Sequence, residues 1–383
     1  MTAADAKGGT VDANSRPRIA VTGPEGFVAW HVRCAARARW GGDLVGIGSE
    51  DFADEARLDA ALADVDAIIH LAGVNRSHDP AEVEHVNPWL AERLVDSLQR
   101  SGRPVTIVYG NSIHSRNDST FGLSKRRAAT ILTSWGSQSG APVVDVVMPN
   151  IFGEHGRPNY NSVVATFCHS LAGGATPTVV DDKELPLVHV ADIADLLLDQ
   201  ALSPTAGTVD VPGRPTMVSD VAARLTDIAD GYRSGLLPDL SDPFTRQLFN
   251  TYRSATFPAD QPIVPHTASD QRGRLVEAVR AAGGQTQVFY STTKPSSTRG
   301  QHYHRRKVER FLVLSGRAEI RLRKLFTAET VTFSVSGEDP VMVDMPTLWV
   351  HSLTNTGPDD VLTLFYADEL YDAADPDTYP EAV

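Results

Sequence analysis

Short apolar runs alternate with helical-period stretches along the first two thirds of the chain. Ile19–Thr22 reads as a buried strand entering a turn at Gly23, and Phe27–Arg39 follows with apolar positions at helical spacing. Further strands are expected at Leu44–Ile47, Ala67–Leu71, Val105–Tyr109 and Val143–Met148, with helices over Ala81–Gln99 and through Lys125–Leu132. Strands alternating with helices predict a parallel sheet covered on both faces, an α/β Rossmann-type arrangement. After about Phe257 the texture changes. Residues 260–265, Asp-Gln-Pro-Ile-Val-Pro, read as a linker, and strands dominate beyond it: 287–293, 309–315, 318–324, 329–335 and 361–367. Ala318, Ile320 and Leu322 alternate cleanly with polar residues, so a small all-β sandwich or barrel is expected there. The pattern divides the chain into a tail at 1–17, an α/β domain at 18–257 and a β domain at 258–383.

Composition narrows the function classes. The formal net charge of −13 and pI of about 5.3 argue against a nucleic-acid surface or an anionic membrane as the main partner. No apolar run approaches the ~20 residues that span a bilayer, and the first 17 residues lack the apolar core of a secretion signal. Only Cys34 and Cys168 are present, so neither a disulfide framework nor a cysteine metal site is expected, and a cytoplasmic setting fits best.

Two stretches carry candidate chemistry. The first is Gly300-Gln-His302-Tyr-His304 followed by Glu309 and Gly316, with His351 after Pro346. Alternate residues of a strand share a face, so His302 and His304 are expected to point inward together, with Tyr303 on the outer side. Glu309 opens the next strand and is expected to meet both imidazoles across a hairpin; His351, on a later strand, completes the set. Three imidazoles and a carboxylate suit zinc first, with iron, manganese or nickel as alternatives. A His-x-His pair alone arises about 0.4 times by chance with 12 histidines in 383 residues, so the weight rests on the combination. A solvated hairpin with surface histidines is the competing reading. The second stretch is Thr22-Gly23-Pro-Glu-Gly26-Phe27. Glycines between a strand and a helix let backbone approach a pyrophosphate, whose charge the helix N-terminus stabilises.

The spacing Gly-x-His-x-His-x4-Glu-x6-Gly resembles the first cupin motif, and Pro346-x4-His351-x3-Asn355 resembles the second, with Leu348 standing where that motif usually has glycine. The N-terminal part resembles extended short-chain dehydrogenase/reductases. His70-Leu-Ala72-Gly73 ends the strand beneath the cofactor, Asn87 lies in the next helix, Ser112 follows a strand, and Phe121-Gly-Leu-Ser-Lys125 falls where such enzymes carry Tyr-x3-Lys. Together with Pro149-Asn150-Ile-Phe-Gly153, Pro158–Cys168, Leu187–Asp192, Asp242–Arg246 and Thr298–Gly300, the chain from about 18 to 380 resembles the CapF-like bifunctional nucleotide-sugar enzymes. That resemblance implies a homodimer with two chemistries. A cupin barrel epimerises a carbon beside the ketone of a UDP- or TDP-linked 4-keto-6-deoxy sugar, and a Rossmann domain reduces the ketone with NADP(H), or NAD, in polysaccharide or secondary-metabolite biosynthesis. It places Thr22, Gly23, Gly26, Phe27, His70, Ala72, Gly73, Lys125, Pro149 and Asn150 around the cofactor, with Ser112 and Lys125 catalytic.

Position 121 breaks this pattern. A phenol donates the proton in such reductions and phenylalanine has none, so ordinary ketoreduction is expected to be impaired; His114 and Tyr160 are the candidate substitute donors. A non-enzymatic nucleotide binder with a structural metal is the reading from a different class. The end of the second strand, Gly46-Ile-Gly-Ser49 with Glu50 next, does not separate NAD from NADP.

Overall fold

A computed structural model describes residues 17–383, so the expected tail, apart from Pro17, lies outside the described residues. The chain forms two compact units. One holds the residues up to Ile151 together with Leu185–Pro215; the other holds Phe152–Glu184 and Thr216–Val383.

The first unit is built on six parallel strands: β1 Ile19–Thr22, β2 Val45–Ile47, β3 Ala67–His70, β4 Thr106–Ser112, β5 Val143–Met148 and β6 Gly207–Asp210, in the order β2-β1-β3-β4-β5-β6. Successive side chains serve opposite faces. Val21, Ile69, Val108 and Val144 pack under α1 (Phe27–Trp40) and α4 (Val190–Leu202). Ala20, Ile68, Ile107 and Val143 pack under α2 (Pro80–Ser101) and α3 (Thr120–Ser139). The strand order reverses between β1 and β3, and the carboxyl ends of those two strands frame the crevice where ligands settle in open α/β sheets. Thr22-Gly23 and His70–Gly73 sit at that point.

The β-rich part of the second unit is two antiparallel sheets. Its strands are β7 Gln287–Thr293, β8 Thr298–Tyr303, β9 Glu309–Ser315, β10 Arg317–Lys324, β11 Thr330–Ser336, β12 Met342–Met345, β13 Trp349–Asn355, β14 Val361–Ala367 and β15 Tyr379–Pro380. One sheet runs β7-β14-β9-β12 and the other β11-β10-β13-β8-β15. Phe311, Val313, Val343, Val361 and Phe365 from the first meet Ala318, Ile320, Leu322 and Leu353 from the second in a shared core.

The compact units do not part at the expected 257/258 boundary. Helices α5 (Val218–Arg233) and α6 (Pro243–Thr256) belong with the β sheets because their buried polar groups are answered there. Tyr232 donates to Asp344 Oδ2 at 2.8 Å, Arg253 donates to the Met345 carbonyl at 3.2 Å, and Asn250 donates to the Arg306 carbonyl at 2.8 Å. At the centre, Arg310 grips Asp344 with two bonds of 2.6 and 2.9 Å, both residues almost wholly buried. Burial alone raises the Asp344 carboxyl, but Arg310 overrides it and holds the pKa below its ordinary value. An Asp344→Ala change leaves a buried guanidinium uncompensated. It is expected to lower the unfolding free energy of this unit by about 3–5 kcal/mol, read as a fall in the urea midpoint.

Candidate functional site

In the first unit the turn after β1 is shaped for close approach. Gly23 adopts φ 65°, and a side chain there would press its Cβ to 3.2 Å from the Ala72 Cα. Gly26 precedes α1 without any side-chain cap, so the first-turn amides of that helix face outward unclaimed by a cap. Phe27 opens the helix with its ring edge-on to His31 at 5.3 Å. The Thr22 hydroxyl accepts the Leu71 and Ala72 amides at 3.0 and 2.9 Å. Its own proton is therefore left for His70 Nδ1 at 2.8 Å, which fixes His70 as the tautomer with the proton on Nε2. Burial, with the Lys125 charge second, pushes the His70 imidazole down to about 3, so it stays neutral.

Gly73 has a steric reason to be glycine: a Cβ would come within 2.4 Å of Asn87 Oδ1. Asn87 clamps this loop, accepting the Val74 amide at 2.9 Å and donating to the Val74 carbonyl and Ser124 Oγ at 2.9 Å each. Ser112 ends β4 and accepts the His114 amide at 3.2 Å. Phe121 lies half-buried in the first turn of α3 with its ring 6.2 Å from that of His114. Lys125, one turn on, is buried; its Nζ donates to the Gly110 carbonyl at 2.7 Å and sits 4.1 Å over the Tyr109 ring. Burial lowers the Lys125 amine to about 7, against an opposing pull from Asp145. Asn150, next to Pro149, donates to the Pro186 carbonyl at 3.4 Å. Tyr160 belongs to the second unit, under Arg157 at 4.8 Å. Glu50 and Asp51, after β2, both pair with Arg57, a cation that the sequence pattern did not bring out.

In the second unit His302, His304, Glu309 and His351 converge, with one ligand atom of each lying within 4.8 Å of the others. They do so by a route that differs from the expected hairpin. β8, which carries His302, lies in one sheet, and β9, which opens with Glu309, lies in the other. The cluster is thus held between sheets. The strand is also irregular. Gln301 takes φ 62° and the register slips between Gly300 and His302, while His304 lies just past the strand end. Tyr303 is buried, 5.3 Å from the Tyr379 ring. Leu348 keeps the turn that glycine usually makes by adopting φ 66°, and its amide donates to the His304 carbonyl at 2.8 Å. Asn355 bridges the sheets, donating to the Thr293 and Asp359 carbonyls at 2.7 and 2.8 Å.

The imidazole orientations bear on what the cluster holds. His304 Nδ1 faces the Asp377 carbonyl at 2.5 Å, and His351 Nδ1 faces the Trp349 carbonyl at 3.3 Å. Carbonyls only accept, so both Nδ1 atoms carry the proton, and each ring in its neutral form presents an Nε2 lone pair. Those lone pairs aim at Glu309 Oε2, 2.9 and 3.5 Å away, without hydrogen-bond geometry. Lone pairs facing a carboxylate inside a protein repel unless a cation lies between them, and carbonyl-anchored imidazoles are the usual support of metal ligands. The donor set therefore fits a transition metal. Phe311 stands 5.7 Å from the His351 ring and continues through Phe365 at 4.6 Å to Phe289 at 5.0 Å, an apolar wall beside the cluster. A separate cavity of about 580 Å³ in this unit, lined by His169, Tyr252 and Asp260 among others, includes none of the four residues.

Comparison with known proteins places the chain. The profile of the NAD dependent epimerase/dehydratase family matches residues 19–209, and that of the polysaccharide biosynthesis C-terminal domain matches 268–379. A UDP-2-acetamido-2,6-beta-L-arabino-hexul-4-ose reductase of Pseudomonas aeruginosa is 34% identical over 372 residues, covering 94% of this chain and 98% of the relative. The chain belongs to the CapF-like family of nucleotide-sugar epimerases and reductases. The capsular polysaccharide assembling protein CapF of Staphylococcus aureus, in its crystal structure, is 29% identical with a TM-score of 0.61, covering 95% of this chain and 99% of that one. CapF solved with the inhibitor 3-isopropenyl-tropolone is 28% identical with a TM-score of 0.57, over 95% and 99%. Family membership makes the chain an enzyme and sets aside a purely non-enzymatic binder. No helix among the described residues is long and apolar enough to cross a membrane.

Proposed function

We propose that the two-sheet domain is a cupin barrel whose His302, His304, Glu309 and His351 hold a divalent transition metal, zinc first and iron, manganese or nickel as alternatives. In this reading the centre epimerises the carbon beside the ketone of a nucleotide-linked 4-keto-6-deoxy sugar. The observation that carries it is the pair of carbonyl-anchored imidazoles aiming Nε2 lone pairs at one carboxylate. A cation in that place supplies Lewis-acid stabilisation of charge developing on a substrate carbonyl oxygen. The protein's part is to fix four donors from two sheets and to keep water out with Phe311 and Phe365, where a lower dielectric strengthens that stabilisation. The relative named a reductase of a UDP-linked 2-acetamido hexulose supports a UDP-linked amino sugar, with a TDP-sugar as the alternative. Deuterium entry beside the ketone, followed by NMR in D₂O with metal-loaded protein, tests this; no incorporation into either sugar class refutes it.

The first unit, in the same reading, binds NADP(H), with NAD as the alternative, across Thr22, Gly23, Gly26, Phe27, His70, Ala72, Gly73, Lys125, Pro149 and Asn150. Gly23→Ala forces a left-handed alanine costing about 1–2 kcal/mol. It should weaken NADPH binding about tenfold in a fluorescence titration, and unchanged affinity removes Gly23 from the site. Ser112 and Lys125 are the catalytic residues in this reading, and with Phe121 in place of a phenol, reduction by the ordinary phenol route is impaired. A second reading, full epimerase-reductase activity with another donor, draws on the relative's printed name and on the His114 ring beside Phe121. The enzyme is read as a cytoplasmic homodimer, for which light scattering is the check.

A further inference from the structure

Asp377 lies 68 positions beyond Glu309 and no sequence motif marks it, yet it touches the segment joining two of the four clustered residues. It is buried, and its backbone takes φ 42°, a left-handed conformation that aspartate tolerates better than most residues. That conformation turns both of its acceptors toward residues 304–307. The main-chain carbonyl meets His304 Nδ1 at 2.5 Å. The carboxylate accepts three successive amides: Arg305 at 3.1 Å on Oδ1, then Arg306 at 2.9 Å and Lys307 at 2.8 Å on Oδ2. Those amides form the turn that carries the chain from His304, beside one sheet, to Glu309, in the other. A single residue thus fixes the ring of His304 and the span between His304 and Glu309.

Its neighbours act in the same direction. Lys307 Nζ donates to the Pro376 carbonyl at 2.7 Å. Beyond Asp377, β15 pairs with β8 at His302 and Tyr303, and the Glu381 amide donates to the Gln301 carbonyl at 3.0 Å. The segment 376–381 therefore runs along the length of chain that bears His302 and His304.

We infer that Asp377 is the positioning residue of the metal centre, holding His304 in its Nδ1-protonated tautomer and setting the His304–Glu309 separation. The inference rests on the proposed metal reading and concerns which residue outside the ligand set makes those ligands bind. A carboxylate accepting three amides is a strong clamp because charge-assisted bonds are roughly twice as strong as neutral ones. Loss of outer-sphere support to a metal ligand typically costs about 10–100-fold in metal affinity.

The test uses the full chain, stripped and reloaded with Zn²⁺ or Co²⁺, as wild type, Asp377→Ala and Asp377→Asn. Asp377→Ala keeps the main-chain carbonyl but frees the three amides that hold the 304–307 turn, so chelator competition is expected to show it binding Zn²⁺ about 10–100-fold more weakly. Asp377→Asn, which keeps one acceptor oxygen, should fall between it and wild type. The Co²⁺ absorption spectrum should shift in Asp377→Ala, whereas a merely structural role would lower the melting midpoint of metal-free protein and leave that spectrum alone. Wild-type affinity and spectrum in a folded Asp377→Ala overturn the inference while leaving the metal reading standing. If that variant does not fold, Asp377→Asn decides in the same way, with an unchanged affinity overturning it. A wild-type chain that takes up no stoichiometric metal overturns the metal reading and this inference with it.

Discussion

Glu309→Gln is expected to strip the centre of metal and to reduce deuterium entry beside the sugar ketone by at least about 10²-fold. Glu309 is the sole charged member of the cluster, and its Oε2 is the point on which His304 and His351 converge at 2.9 and 3.5 Å. Two neutral imidazole lone pairs facing this carboxylate oppose its charge, so the anion is costly there unless a cation lies beside it. Glutamine keeps the shape and loses only the charge, so a fall in metal content and exchange maps onto that charge rather than onto packing. Metal analysis of the purified variant and NMR in D₂O are the two measurements. A Glu309→Gln protein that keeps one metal per chain and full exchange would make the carboxylate a bystander.

Much of this arrangement is legible in the residues, and the parts that are not have physical reasons. Five of the six parallel strands were readable as short apolar runs, as at Ile19–Thr22 and Val143–Met148, whereas β6, Gly-Thr-Val-Asp, carries no such run. The identity of the four clustered side chains was readable because strand spacing and chemistry agreed. How they meet was not. The expected hairpin requires β8 and β9 to pair, but the 305–307 turn carries the chain to the other sheet, and Gln301 kinks β8 with a slip at Gly300–His302. A backbone kink at a non-glycine residue leaves no mark in a pattern of apolar and polar positions. Asp377 escaped notice for a related reason: its contacts are with backbone amides, which every sequence supplies. The compact units part elsewhere than at 257/258 because α5 and α6, which the pattern of apolar positions did not bring out, pack with the β sheets. Only the structure shows that Tyr232, Asn250 and Arg253 are answered by groups near the β sheets.

Phe121→Tyr is expected to raise NADPH-dependent reduction of a keto-sugar by about 10²–10⁴-fold, the span that a positioned general acid contributes. The position is ready for a phenol in three respects. It lies in the first turn of α3 and is half-buried, so a hydroxyl gains an exit to water or substrate without being sealed in the core. Lys125 stands one turn on, with an amine lowered to about 7 chiefly by burial. Ser112 ends the adjoining strand with its hydroxyl already turned toward the 113–116 turn. Lys125 is at present committed to the Gly110 carbonyl at 2.7 Å, so the gain depends on whether that amine is drawn toward a new phenol. A gain near the lower end would mean that it stays. The rate of NADPH oxidation, compared in wild type, Phe121→Tyr and His114→Ala, separates the two readings of this unit. A wild type that is slow, a tyrosine variant that is fast and a histidine variant no slower than wild type point to a reductase disabled at one atom. A wild type already fast, and slowed by His114→Ala, points instead to an imidazole doing the phenol's work, and a further hydroxyl at position 121 would then add little.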